Sequence, residues 1–417
     1  MQANYLTEIK ERTTIQYLLT PVVIVAALGY FVDIYDLLLF GIVRIPSLAD
    51  LGLDKAGISR EGAAILNWQM SGLLIGGIIW GILGDKRGRL SVLFGSIITY
   101  SAANFGCGWV QSVEAYKLLR FIAGLGLAGE LGAGITLVSE TLPKKLRALG
   151  TSLVAGIGLL GAVAAYFTVA LFSWRNAYFA GGGLGILLLL LRLGVFESDT
   201  FVRMRSKEIA KGEFLSFFKN TDRLKLYLKC IGIGLPTWYV IGILSTFSNE
   251  LGQAMGIRED VRPGLSVMWC YVGLATGDLL SGFISNKLRS RRKTVVLMMS
   301  LTFILAIVYL YGRSNTASGM YLLTACMGFG IGYWAIFVTI GAEQFGTNLR
   351  ATAATTIPNF VRGTVVIMTT SYGILKPEMH EIHAAAMVGL VCFVAGFYSI
   401  ARMPETHDRD LDFIEER

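Results

Sequence analysis

Long apolar stretches joined by short polar connectors set the pattern of this chain. A transmembrane helix needs about 20 apolar residues. Twelve stretches reach that length, at 18–43, 61–83, 91–110, 115–139, 148–172, 174–196, 224–248, 263–286, 294–312, 317–341, 351–373 and 380–402. The pattern predicts an all-α membrane protein with twelve transmembrane helices. The first stretch is too long for a signal-peptide core and has no convincing small-residue cleavage site, so it is expected to be retained. The long hydrophilic connection is 197–223, which is basic. It divides the chain into an N-terminal six-helix half (1–196) and a C-terminal six-helix half (224–402), with a tail at 403–417.

The halves repeat in sequence. Gly72, Gly76, Gly81, Asp85 and Lys86 correspond to Gly273, Gly277, Gly282, Asn286 and Lys287 at a constant offset of 201. Glu140 to Arg147 corresponds to Glu343 to Arg350 at an offset of 203. Parallel repeats of this kind are a transporter arrangement, with substrate held at mid-depth between the halves.

Composition agrees with a membrane protein. The chain is 54% hydrophobic and only 16% charged, against about 25% charged in soluble domains. Glycine is abundant, at 49 residues, and concentrated within the stretches, as close helix packing in lipid favours. The net charge of +8 does not point to nucleic acid, because Lys and Arg cluster in alternate loops. These clusters are Lys86, Arg87 and Arg89; Lys144, Lys145 and Arg147; Arg203 to Arg223; and Lys287 to Lys293. The positive-inside rule then places both termini and the linker in the cytoplasm, in a multi-pass protein of the cytoplasmic membrane. The five cysteines lie in or beside the stretches without metal-ligand spacing and read as packing residues. No phosphate-binding glycine loop of the Gly-x-x-x-x-Gly-Lys-Ser/Thr kind occurs, so neither ATP-driven transport nor a cofactor is expected.

Several motifs resemble those of the major facilitator superfamily. Gly84-Asp85-Lys86-Arg87-Gly88-Arg89 is similar to its signature between helices two and three. Glu140-x-x-Pro-x-x-x-Arg147 and its copy from Glu343 resemble the signatures after helices four and ten of the sugar and metabolite porters, and Pro404-Glu405-Thr406 resembles their C-terminal signature. Asp33-Ile-Tyr-Asp36, Gly124-Leu-Gly-Leu-Ala-Gly-Glu130 and Gly332-Tyr-Trp334 resemble metabolite:proton symporters, including sialic acid and lactate transporters. The Pro-x-x-Trp of true sugar porters is missing, and Asn286 stands where an acid is usual, which weakens a sugar assignment. The resemblance implies two six-helix halves related by a pseudo-two-fold axis, working by alternating access.

Ionisable residues within a span cost about 3 kcal/mol each and need a reason to be there. Asp33 and Asp36 lie three apart on one helical face. Asp36 is about 10 Å, and Arg120 about 8 Å, from the same membrane side, so they are expected to meet. Such a pair suits a proton carrier, since protonation frees the arginine and deprotonation re-forms the pair; the resemblance implies the same roles. A permanent lock between helices is the other reading. Glu130 is deep enough to need a partner or a proton. Arg362 has no neutralising acid nearby in sequence. It is expected to bind a substrate carboxylate or phosphate, or else to pair with Asp278 or Glu343. Trp238, Tyr239, Tyr333, Trp334, Gln69 and Asn359 are candidate cavity-lining residues. Gly84, Asp85, Gly88, Arg89, Glu140, Arg147, Glu343 and Arg350 lie at helix ends on the basic side, where acid–arginine pairs between the halves would form a gate.

The reading is a secondary transporter and not an enzyme, since no nucleophile–base pair or metal cluster stands out. Proton-coupled uptake of a small organic anion is expected. The partners expected are that substrate, protons and membrane lipid, with no nucleic acid and a monomeric protein. Export of a metabolite or siderophore-like carboxylate, transport of a neutral sugar or polyol, and a non-transporting receptor are the alternatives.

Overall fold

The computed structural model describes residues 17–142, 147–194, 214–312, 316–346 and 349–407. The side chains of Asp85, Arg89, Glu140, Arg147 and Arg350 lie outside this description, and the gate expected of them with it. Among the described residues all regular structure is helical.

The first half comprises α1 (Pro21–Asp50), α2 (Lys55–Arg87), α3 (Arg89–Trp109), α4a (Val113–Leu127), α4b (Glu130–Thr141), α5a (Arg147–Leu159), α5b (Gly161–Leu171) and α6 (Trp174–Leu191). The second comprises α7 (Thr221–Tyr239, continued by a π-helical turn at Val240–Ser245), α8 (Pro263–Leu288), α9 (Arg291–Tyr311), α10a (Ala317–Gly330), α10b (Trp334–Glu343), α11a (Arg350–Gly363), α11b (Val365–Met379) and α12 (Glu381–Ala401). Among the described residues eleven helical segments are long and apolar enough to cross a membrane. The remaining predicted span is α11, whose two pieces of 14 and 15 residues are each too short alone.

The internal repeat recurs in the backbone. Helix four breaks after Leu127 and helix ten after Gly330, an offset of 203. Helix five breaks after Leu159 and helix eleven after Gly363, an offset of 204. The repeated glycines explain the spacing. A Cβ on Gly72 or Gly76 would strike the backbone of α4a at Phe121 or Leu125, and one on Gly273 or Gly277 would strike that of α10a at Ala325 or Phe329. Glycine therefore lets α2 lie directly on α4, and α8 on α10. Gly88, between α2 and α3, has φ +102° and ψ 159°, a conformation open essentially to glycine alone.

The sequence placed the end of helix one at residue 43, but α1 runs to Asp50 with Pro46 inside it. This extension carries Arg44 into the protein, where it is 1% exposed.

The two halves meet on both sides of the membrane midplane. Towards the basic loops, Thr355 packs where Gly132 leaves no side chain, and Asn359 Nδ2 donates to the Ala128 carbonyl across the halves at 2.8 Å. At the opposite face Arg44 reaches the Thr246 carbonyl just past the end of α7. Between these contacts lies a cavity of about 20 Å³, bordered by Leu37, Gly41, Leu66, Trp238 and Thr246. A water needs about 10–15 Å³ on that measure, so the centre holds a water at most.

Candidate functional site

The α1 stripe carrying Asp33 and Asp36 sits at the centre, both carboxylates fully buried. The expected pair of Asp36 with Arg120 is present at 3.0 Å. The guanidinium also donates to the Asp36 carbonyl (3.0 Å), Asn104 Oδ1 (3.1 Å) and Gln69 Oε1 (3.2 Å). Gln69 in turn donates to the Leu37 carbonyl at 2.8 Å. Every nitrogen of Arg120 is thus held by groups from α1, α2 and α3, all within one half. Gln69 acts here as a strut for Arg120 and not as a bare cavity wall.

Arg362 requires a correction. It is not unpaired, and its partner is neither Asp278 nor Glu343. Its Nη2 lies 3.7 Å from Asp33 Oδ2, in the other half. Nη1 donates to Asn359 Oδ1 at 3.4 Å, and the guanidinium sits 5.8 Å from the Trp238 ring centroid. This pair is held more loosely than the first. Neither Asp33 oxygen makes a hydrogen bond, and Arg362 Nε makes none.

Asp278 faces elsewhere: its Oδ1 accepts the Ala335 N–H at 2.9 Å, at the start of α10b. Glu343 takes Arg291 of its own half at 2.6 Å, and the other charged members of the expected gate lie outside the described residues. Glu130 finds its partner in Arg192, which binds both carboxylate oxygens, one of them at 3.1 Å. Glu130 opens α4b and Arg192 follows α6, the helix ends at which each charge is favoured. The sequence held the signal for this pair in Arg192, an arginine inside an apolar stretch, which went unused.

The aromatic candidates divide. Trp238 borders the cavity, and its ring lies 6.4 Å from that of Trp334. Tyr239 and Tyr333 do not join them. Their hydroxyls donate to the carbonyls of Ala385 (2.9 Å) and Ile233 (3.1 Å), which makes them packing residues of the second half in this state.

The site is therefore two acid–arginine pairs one turn apart on α1. One is internal to a half, and the other spans the two halves.

Comparison with known proteins agrees with this architecture. Residues 26–369 match the model of the Major Facilitator Superfamily. A sialic acid transporter of Escherichia coli is 26% identical over 336 residues, covering 78% of this chain and 79% of its own length. A cis,cis-muconate transport protein of Acinetobacter baylyi is 25% identical over 385 residues, covering 89% of this chain and 91% of its own. Among solved structures, that of a proton:xylose symporter aligns with a TM-score of 0.75 over 96% of this chain and 98% of that one. At 16% identity that likeness concerns the fold. With paired discontinuous helices, a repeated architecture and a family match over most of its length, this chain is a multi-pass membrane transporter and belongs to the Major Facilitator Superfamily.

Proposed function

We propose that the protein is a proton-coupled symporter of a small organic anion bearing a carboxylate. One observation carries the reading: Asp33 and Arg362 form a buried ion pair across the two halves at 3.7 Å, with both Asp33 oxygens free of hydrogen bonds. A buried guanidinium keeps its proton and so needs a counter-ion at every stage of the cycle. Two arrangements supply one. In the empty carrier the Asp33 carboxylate does so. In the loaded carrier Asp33 holds a proton and the substrate carboxylate takes its place on Arg362. The mixed arrangement, with Asp33 protonated and no substrate, leaves a buried charge bare and costs about 3–5 kcal/mol. Substrate and proton therefore travel together. The Asp36–Arg120 pair, in which every guanidinium nitrogen is bonded inside one half, holds α1 in place beside this exchange. That relatives are named for sialic acid and cis,cis-muconate supports a carboxylate as the group recognised.

The same reading keeps the linker at 197–223 as the boundary between halves. It also keeps the basic loops in the cytoplasm, with the protein in the cytoplasmic membrane.

The test is a melting screen of purified protein against organic acids, sugars and polyols, beside Arg362→Ala, Asp33→Asn and Asp36→Asn. A ligand at 100 times its Kd adds about 2.7 kcal/mol of stability. A carboxylate should stabilise the wild type and not Arg362→Ala. In vesicles the same acid should then accumulate when the pH gradient points inward. Stabilisation by a sugar or polyol and by no acid defeats the proposal.

A further inference from the structure

At the face opposite the basic loops, Arg44 is buried with an unusual set of partners. Its Nη2 donates to the Thr246 carbonyl (3.0 Å) and to Asn249 Oδ1 (3.1 Å). Its Nη1 lies 4.0 Å from Glu250, and its guanidinium lies 4.5 Å from the Phe247 ring centroid. All four partners belong to the second half, while Arg44 belongs to the first. Its Nε and Nη1 make no hydrogen bond. Gly62 makes room for the arm, since a Cβ there would come within 2.7 Å of Arg44 Cδ.

Glu250 is better supplied. It takes Lys376 of its own half at 2.6 Å and Ser59 of the other at 3.0 Å. When this face opens, Glu250 keeps Lys376, whereas Arg44 loses every polar partner of its guanidinium. The acids of the first half at this face are already engaged. Glu61 is held by Lys117 and Arg60, each at 2.9 Å, Asp50 by Arg175, and Asp54 accepts the Gly57 N–H at 2.8 Å.

We propose that Arg44 is a second, outer anion site. It is covered by the segment 246–250 that follows α7 in the closed form and left as a bare guanidinium at the mouth when the halves part there, where it takes a carboxylate bound for Arg362. The position fits that path. Arg44, Gly41, Leu37 and Asp33 follow one stripe of α1 at spacings of three and four, and Arg44 stands about 16 Å above Asp33 along the helix. Gly41 and Leu37 border the central cavity between them. This inference rests on the organic-anion reading for the identity of its ligand.

The experiment uses charged thiol reagents and no transported substrate. Gly41→Cys places a thiol one turn from Arg44 at a position where a Cβ meets nothing within 4 Å. Its rate of modification by a sulfonate-bearing methanethiosulfonate is compared with that by a trimethylammonium-bearing one, each corrected for protein without the added cysteine. The anionic reagent should react faster. Arg44→Gln should lower the anionic-to-cationic ratio about fivefold, the effect of one unit charge about 8 Å away in water acting oppositely on the two reagents. Arg44→Lys should keep the ratio, and Glu250→Gln, which keeps Arg44 and removes the acid, should raise it. A ratio that Arg44→Gln and Glu250→Gln leave unchanged overturns the proposal, and so does a cysteine that neither reagent reaches. If carboxylate is the wrong substrate class, the ratio still responds to Arg44. If the outer site is wrong, the melting screen on Arg362 still succeeds.

Discussion

The cross-half pair makes an asymmetric prediction. Removing one partner of a buried ion pair leaves the other charge uncompensated, at about 3–5 kcal/mol. The survivors here differ. In Asp33→Asn the remaining guanidinium of Arg362 cannot shed its charge. The Asn359 carbonyl oxygen at 3.4 Å and the Trp238 ring give it weak support only. The full loss of about 3–5 kcal/mol is expected. In Arg362→Gln the remaining carboxylate can bind a proton and become neutral, so the loss should be smaller, about 1–3 kcal/mol. The double variant buries two neutral side chains and should be more stable than Asp33→Asn alone. Unfolding free energies from denaturant titration in mixed micelles give the double-mutant cycle. Additivity of the two substitutions within about 0.5 kcal/mol would show that the pair has no energetic coupling. A larger loss in Arg362→Gln than in Asp33→Asn would refute the argument that Asp33 accepts a proton.

Three further outcomes follow from packing and charge. Gly277→Ala drives a methyl into the Phe329 carbonyl of α10a and should destabilise by about 1–3 kcal/mol, whereas Gly183→Ala, with open space at that position, should be neutral or raise stability by up to about 1 kcal/mol; melting curves of both compare them directly. At the start of α9, burial works against the Glu405 carboxylate, but the Ser290 hydroxyl and the amides of Arg291, Thr406 and Arg292 outweigh it and hold the group below its usual range. Its contribution is therefore present above about pH 4.3 and lost as pH falls through the lower folded value, so Glu405→Gln should cost no more than about 1 kcal/mol at neutral pH and nothing in acid. Arg192→Gln leaves Glu130 buried without its bidentate partner but able, like Asp33, to bind a proton, and should destabilise by about 1–3 kcal/mol, with Glu130→Gln in the same chain restoring most of it in the same titration.

Much of this molecule is legible in its sequence because the bilayer imposes length and polarity on every span. The apolar stretches, the glycines repeated at one offset and the expected meeting of Asp36 with Arg120 all follow from one-dimensional rules; among the described residues eleven of the stretches are span-length helices, the glycines sit at the predicted helix contacts, and the two side chains pair. Partners chosen by the third dimension were not legible. Asp33 and Arg362 lie in different halves, and no spacing rule relates them. Arg192 meets Glu130 only because both side chains fold over α1 at Gly29, where a Cβ would strike each of them. Arg44 stood one residue beyond the predicted end of helix one, and its burial depends on α1 continuing through Pro46, against the usual reading of proline as a terminator. Tyr239 and Tyr333 failed for the opposite reason, since an aromatic near the cavity and an aromatic donating to a neighbouring helix have the same sequence signature.

The three buried arginines of the cycle differ in what they are tied to, and the difference separates their work. Arg120 is saturated by its own half, so α1 to α4 can move as one body without disturbing it. Arg362 and Arg44 each have a partner acid in the other half, at 3.7 Å and 4.0 Å, and neither is saturated. Rocking the halves apart at the Arg44 face exposes that guanidinium first, while Asn359 still binds Ala128 towards the basic loops. Closing that face restores the segment 246–250 to Arg44 and, on the proposed reading, leaves Arg362 as the remaining position for an anion. On the proposed anion reading, two loosely paired cations about 16 Å apart on one path, each needing a counter-ion whenever the halves move, give the substrate a stepwise descent that a neutral solute would not use.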